Sequence, residues 1–152
     1  MIIINKSETA NSRTCDYKSV SKETLRNSTL SHIKDVEKTM QFFTNLMSTQ
    51  ASVHDSHKLY TIDWFYETFK SGFENKDWYN DHKKNTRHHL KDNQYLKEDV
   101  NLVDVFEYIC DCVCAGLARS GTVYDLNIDE KILIKAFNNT VEILKKNITI
   151  ED

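Results

Sequence analysis

Residues 54–89 hold five of the six histidines, the side chains that bind borderline metal ions and move protons near neutral pH. The stretch opens on His54-Asp55-Ser56-His57-Lys58 and closes on His82-Lys83-Lys84-Asn85-Thr86-Arg87-His88-His89. Of the six histidines, His54, His57, His82, His88 and His89 lie within it, and His32 stands upstream. Imidazole and carboxylate are the groups that hold borderline divalent ions, so this clustering points to a metal site. The His54-Asp55 dipeptide alone is a frequent chance pair and needs partners from elsewhere in the fold. Asp111 is the strongest outside candidate, because it sits within Tyr108-Ile109-Cys110-Asp111-Cys112-Val113-Cys114-Ala115. A carboxylate in so apolar a helix is costly unless it binds a cation, joins an ion pair or accepts from a Tyr or His. Glu107 lies four residues earlier and shares its helix face.

Quieter roles are open to several of these residues. His32 falls at the edge of an apolar stripe and is expected to face inward, as a core histidine or as a ligand. His57 is expected to face outward, and Lys58 to be a solvated lysine unless a substrate meets it. The basic cluster Lys83, Lys84 and Arg87 reads most simply as a solvated helix face. On a helix, His88 and His89 point about 100° apart and would not share an ion. The four cysteines are Cys15, Cys110, Cys112 and Cys114. Helical spacing turns Cys112 away from Cys110 and Cys114, so the three do not converge on zinc and are expected as small buried residues. Trp64, Trp78 and the phenylalanines are expected in the core rather than as a nucleobase platform.

The elements that carry these groups read as helices. The 152 residues contain no Pro and only three Gly, a composition that spares helices and starves a sheet of its turns. Ile33, Val36, Met40, Phe43 and Met47 predict a first helix over about Thr29–Ser48, capped by Asn27 or Ser28. The His54-Asp55 segment then falls at a helix junction. Thr61 caps the next helix, whose stripe is Ile62, Phe65, Phe69 and Phe73, with Gly72 as terminator. A further helix spans about residues 76–89, and residues 90–100, polar and acidic, read as a loop or weak helix. Asn101 and Asp104 have the spacing of a capping arrangement before a helix over Leu102–Arg119 that stops ahead of Gly121. A last helix covers about Asp129–Asn147, with Leu133, Phe137, Val141, Leu144 and Ile148 as its stripe. Residues 1–27 read as a flexible or extended arm, and 28–152 as one all-α bundle of about five to six helices.

The net charge is −3, so no basic footprint for nucleic acid is present. No signal peptide and no run of transmembrane length is visible, which places the chain in the cytoplasm as an expectation.

The order of His, His-Asp and Asp on successive helices resembles the HD superfamily of metal-dependent phosphohydrolases. That resemblance implies a helical bundle with metal ligands at His32, His54, Asp55 and Asp111. His54-Asp55-x-x-Lys58 matches the extended motif His-Asp-x-Gly-Lys except at His57, and Asp111 with Ala115 matches Asp-x-x-x-Ala. Residues from about 30 to 148 are similar, more closely, to a family of uncharacterised phage and bacterial proteins. Its motifs His-Asp-x-Ser-Lys, His-x-x-Asn-x-His-His and Asp-Leu-Ile-Glu-Met-x-Cys-Asp align with residues 54–58, 82–89 (one residue longer here) and 104–111.

The resemblance further implies a divalent ion (Mn, Fe, Co, Ni, Zn or Mg), with His82 and either His88 or His89 holding a second. A water on such an ion loses its proton near neutral pH and can attack a phosphate ester. Lys58 or Arg87 would stabilise the charge developing on phosphate oxygens, and Glu107 would act as general base or hold a histidine. The expected substrate is a nucleotide or related phosphate ester, with no membrane or nucleic-acid partner, and self-association stays open. Two other readings stand beside it. One is a di-iron oxygenase on the same scaffold; the other is a non-enzymatic phage accessory protein, in the host cytoplasm, binding a host factor or nucleotide.

Overall fold

A computed structural model describes residues 1–5 and 18–151 of the chain. Cys15 and the middle of the expected arm, residues 6–17, lie outside the described residues. The described residues form six helices and one two-stranded sheet, an all-α protein. The chain divides into two compact units, Met1–Leu46 with Glu142–Asp152, and Met47–Val141.

In the first unit the two ends of the chain meet. Strand β1 (Ile2–Asn5) pairs in parallel with strand β2 (Ile148–Glu151), in register Ile2↔Ile148 to Asn5↔Glu151. Their isoleucines and threonine are β-branched and suit the pleat. The expected arm over 1–27 therefore begins with a strand and ends inside a helix. That helix, α1 (Lys22–Val53), starts earlier than the stripe suggests. Its cap is Ser21, whose hydroxyl accepts from the Thr24 N–H at 3.0 Å, rather than Asn27 or Ser28. The stripe residues Ile33, Val36 and Met40 are exposed (54%, 43% and 66%). Spacing by threes and fours defines an apolar face but not what covers it.

The second unit carries α2 (Ser56–Tyr60), α3 (Ile62–Lys70), α4 (Asp77–Asn85), α5 (Leu102–Ser120) and the first part of α6 (Glu130–Asn147). Its core gathers Leu90, Val100, Val105, Tyr108, Ile132 and Ala136. On α6 the buried face is Ile132, Ala136 and Thr140; the expected Leu133, Phe137 and Val141 are exposed. Ala136 and Thr140 are small enough to let α6 meet the start of α5, and Ile132 fills the core beside them. There the Thr140 hydroxyl accepts the Leu102 N–H at 2.9 Å, satisfying one of the helix's free donors. The α5 start has the expected capping box: Asn101 Oδ1 accepts the Val103 N–H, and Asp104 accepts the Asn101 N–H. At its end Gly121 adopts φ 70°, the left-handed cap glycine favours. A Cβ on Gly116 would stand 2.7 Å from the Thr122 carbonyl oxygen, so the loop after α5 folds back only over a glycine.

Trp78 is buried between Phe65 (ring centroids 4.2 Å apart) and His82 (5.1 Å, 10° between planes), and its indole N–H donates to the Thr61 hydroxyl at 2.9 Å. Thr61 precedes α3 but makes no side-chain cap; its hydroxyl is taken by Trp78 and by the His57 carbonyl. Trp78 thus belongs to the core, as expected, and its stacking fixes the plane of a histidine.

Candidate metal centre

The second unit brings His54, Asp55, His82, His88, His89, Glu107 and Asp111 together from four places in the chain. The end of α1 and its junction with α2 supply His54 and Asp55, in keeping with the sequence pattern. Asp55 has φ 54°, a left-handed conformation uncommon outside glycine. It occupies the N-cap position of α2 and yet makes no cap hydrogen bond. Its carboxylate turns instead into the histidine cluster, where Oδ1 is buried and has no hydrogen-bond partner. A left-handed backbone that turns a buried carboxylate oxygen towards imidazoles has the chemistry of a metal ligand.

Two imidazoles, His82 and His88, face that oxygen and a third, His54, faces its partner Oδ2, each ring held through its Nδ1. His54 and His88 each place Nδ1 on Glu107 Oε1, at 2.8 Å and 3.0 Å. A carboxylate accepts only, so both rings carry their proton on Nδ1 and leave Nε2 as a lone-pair donor. His82 Nδ1 lies 3.4 Å from His57 Nδ1, and His57 Nε2 lies 2.9 Å from Asp81 Oδ2. With His57 donating to Asp81, its Nδ1 accepts from His82, and His82 Nε2 is free as well. The Nε2 atoms of His82 and His88 stand 3.3 Å and 3.6 Å from Asp55 Oδ1. His54 Nε2 stands 3.6 Å from both Asp55 Oδ2 and Asp111 Oδ1. Neighbouring ligands at roughly 2.1 Å from a divalent ion lie about 3.0–3.4 Å apart, and each of these individual pairs stands at that spacing or a few tenths of an ångström beyond it.

Two sets of ligand atoms, each within 4.8 Å, emerge: His54, Asp55 and His88, and His82, His88 and His89. These buried His and Asp groups can hold a metal ion. His88 and His89 both reach the second set because α4 ends at Asn85 and the two follow it in a non-helical segment. The angle of about 100° that would keep them from sharing an ion holds only on a helix, and no helix is there. His89 Nε2 is buried without a hydrogen-bond partner. Burial and the neighbouring His88 and His82 push its pKa down to about 4, so it is neutral and able to ligate at physiological pH.

Burial opposes ionisation of Asp55 and Glu107, but their neighbours outweigh it. The ammonium of Lys58, paired with it, holds Asp55 well below the usual carboxylate range. Donors from His88, His54 and the Gln50 amide (2.7 Å) do the same for Glu107.

The remaining sequence candidates fall in different places. His32 lies in the first unit, where it is exposed and lines a groove with Asp35, Val36 and Met40. It is in neither ligand set among the described residues. α1 runs unbroken to Val53, so the expected break between the helix bearing His32 and the His54 segment is absent. Arg87 is clasped by Asp104 (Nε–Oδ1 2.6 Å, Nη2–Oδ2 2.9 Å) and by Asp99 at 3.1 Å. Two carboxylates neutralise it, so its evident role is to pin the segment before His88 to the first turn of α5. Lys58 pairs with Asp55. His57, expected to face outward, is turned in, with a side chain only 14% exposed. Cys110 and Cys114, expected buried, are exposed in a groove beside His54. Asp81 and Gln50 went unnoticed in the sequence; the adjacency of Asp81 to His82 was the available signal.

No helix among the described residues is long and apolar enough to cross a membrane. Comparison with protein-family models, curated proteins and solved structures finds no match to this chain.

Proposed function

We propose that this chain is a metal-dependent phosphohydrolase of HD type, acting on a phosphate ester. The observation that carries the reading is Asp55 Oδ1: a buried, unpartnered carboxylate oxygen in a strained residue, faced by Nε2 atoms whose rings are oriented from behind. Carboxylate with imidazole is the donor set of borderline divalent ions, and orienting carboxylates behind the imidazoles are their usual companions. Bound there, such an ion would supply a hydroxide near neutral pH and polarise a phosphoryl oxygen.

The protein's own groups do the rest. Glu107 spends its carboxylate on His54, His88 and Gln50, which makes it a positioning residue rather than a general base. Lys58, beside Asp55, is the cation nearest the cluster and would meet an anionic phosphate oxygen. Hydrolysis adds water across the P–O bond: the water oxygen joins phosphorus and the ester oxygen leaves with a proton. An open groove reaches His54 and Asp111, as a substrate requires and a purely structural cluster does not.

A second reading, a di-iron oxidation centre, is favoured by His82 and His89, two imidazoles beyond the first ligand set, with His82 Nε2 3.3 Å from Asp55 Oδ1. Metal content separates the two. Elemental analysis under anaerobic conditions finding one ion per chain excludes the di-iron reading. Hydrolysis of a generic phosphate ester that needs added Mn, Co or Zn, and is lost with chelator, supports the first; a metal-loaded protein inert to such esters overturns it.

A further inference from the structure

Two cavities open onto the metal centre from different sides, and their chemistry is opposite. The first is a groove of about 360 Å³ whose inner end is formed by His54, Glu107 and Asp111. Met47, Ala51, Val103, Phe106, Cys110 and Cys114 make its walls, and no lysine or arginine lines it. That volume is within the range of small-molecule sites. The second cavity reaches His88, His89 and Asp111 and is polar, lined by Lys91, Tyr79 and the ion pair of Lys83 with Asp92 (2.8 Å). Asp111 lines both, so a substrate spanning the centre would have one end in each.

Part of the polar inner end of the groove is already engaged, and what is left, Asp111 and His54 Nε2, belongs to the candidate metal centre. The Gln50 amide donates to Glu107 Oε2, and His54 Nδ1 donates to Glu107 Oε1. Little is left to hydrogen-bond the edges of a nucleobase, and recognition of a base needs such bonds in a dry site. Lys91 and the imidazoles at the rim of the second cavity can meet an anionic end, whereas the groove repays only the burial of hydrocarbon.

We propose that the groove holds an apolar alkyl or aryl group and that the substrates are phosphate esters of apolar alcohols rather than nucleotides. This rests on the phosphohydrolase reading. The test compares the metal-loaded full chain on methyl, n-butyl and n-octyl phosphate, whose leaving groups are chemically alike. The expected result is a rise in kcat/KM of tenfold or more from methyl to octyl. Ala51→Trp, which fills the groove from an exposed helix position, should abolish the rise. Phe106→Ala, removing an exposed ring, should weaken it. Equal kcat/KM along the series would overturn the inference and leave the phosphohydrolase reading intact. Should no ester be hydrolysed by metal-loaded protein, that reading fails, and binding decides the groove. Saturable n-octyl phosphate binding at the Met47 methyl by NMR, blocked in Ala51→Trp, sustains the assignment; its absence overturns it.

Discussion

The two ligand sets differ in how they are supported. In the set of His54, Asp55 and His88 both imidazoles are oriented by one buried carboxylate, Glu107, and the third ligand carries a full negative charge. The set of His82, His88 and His89 is all imidazole; His82 is held through His57 and Asp81, and His89 Nε2 has no hydrogen-bond partner. His88 has one free nitrogen and serves one ion at a time. Charge and orientation therefore make the first set the tighter site. The second becomes a site in its own right only if His88 is released to it. Histidine number alone ranks them the other way, which shows that what lies behind a ring matters more than how many rings there are.

The largest effect should come from Asp55→Gly. It removes the only carboxylate of the stronger set and suits φ 54°, so metal content should fall below a tenth of the parent's. Helical circular dichroism should persist and thermal stability should hold or rise, because about 1–3 kcal/mol of backbone strain is relieved. Glu107→Gln comes next. It loosens His54 and His88 together, and metal affinity measured by competition with a chelator should fall about 10–100-fold. His89→Phe acts on the weaker set alone and should leave the first ion in place. A loss of the first ion in that variant would show the ranking to be wrong.

The same residue should separate the two sets through pH. His89 has its folded-state pKa lowered to about 4, against about 6.5 for a free imidazole. The unfolded chain then binds a proton in that interval that the folded chain refuses. Metal-free protein should lose stability as pH falls from about 6.5 towards 4, and His89→Phe should flatten that slope in urea unfolding. The smallest effect should come from Asp81→Asn, which leaves His82 attached to His57 but weakens the chain behind it, for a few-fold loss of affinity.

Much of the fold was legible because local chemistry decided it. The absence of proline, the Asn101–Asp104 cap and Gly121 fix α5 within a residue of its expected ends. His54 and Asp55 fall at a helix junction as spacing suggested. The inward turn of His57 was not legible, because it depends on Asp81, 24 residues away. The grouping of His88 with His89 depends on α4 stopping at Asn85, where no glycine or proline marks the end. Arg87 looked free because its partners, Asp99 and Asp104, are 12 and 17 residues on. His32 carried a pattern of residue order, and order along a chain does not set distance in space.

The most direct test is the metal content and anomalous scattering of crystals of the full chain grown with Mn or Zn. The expected result is an ion within bonding distance, about 2.0–2.3 Å, of Asp55 and of Nε2 from His54 or His88. Protein that takes up less than a tenth of an ion per chain under those conditions, or holds its ion away from Asp55, would contradict the assignment.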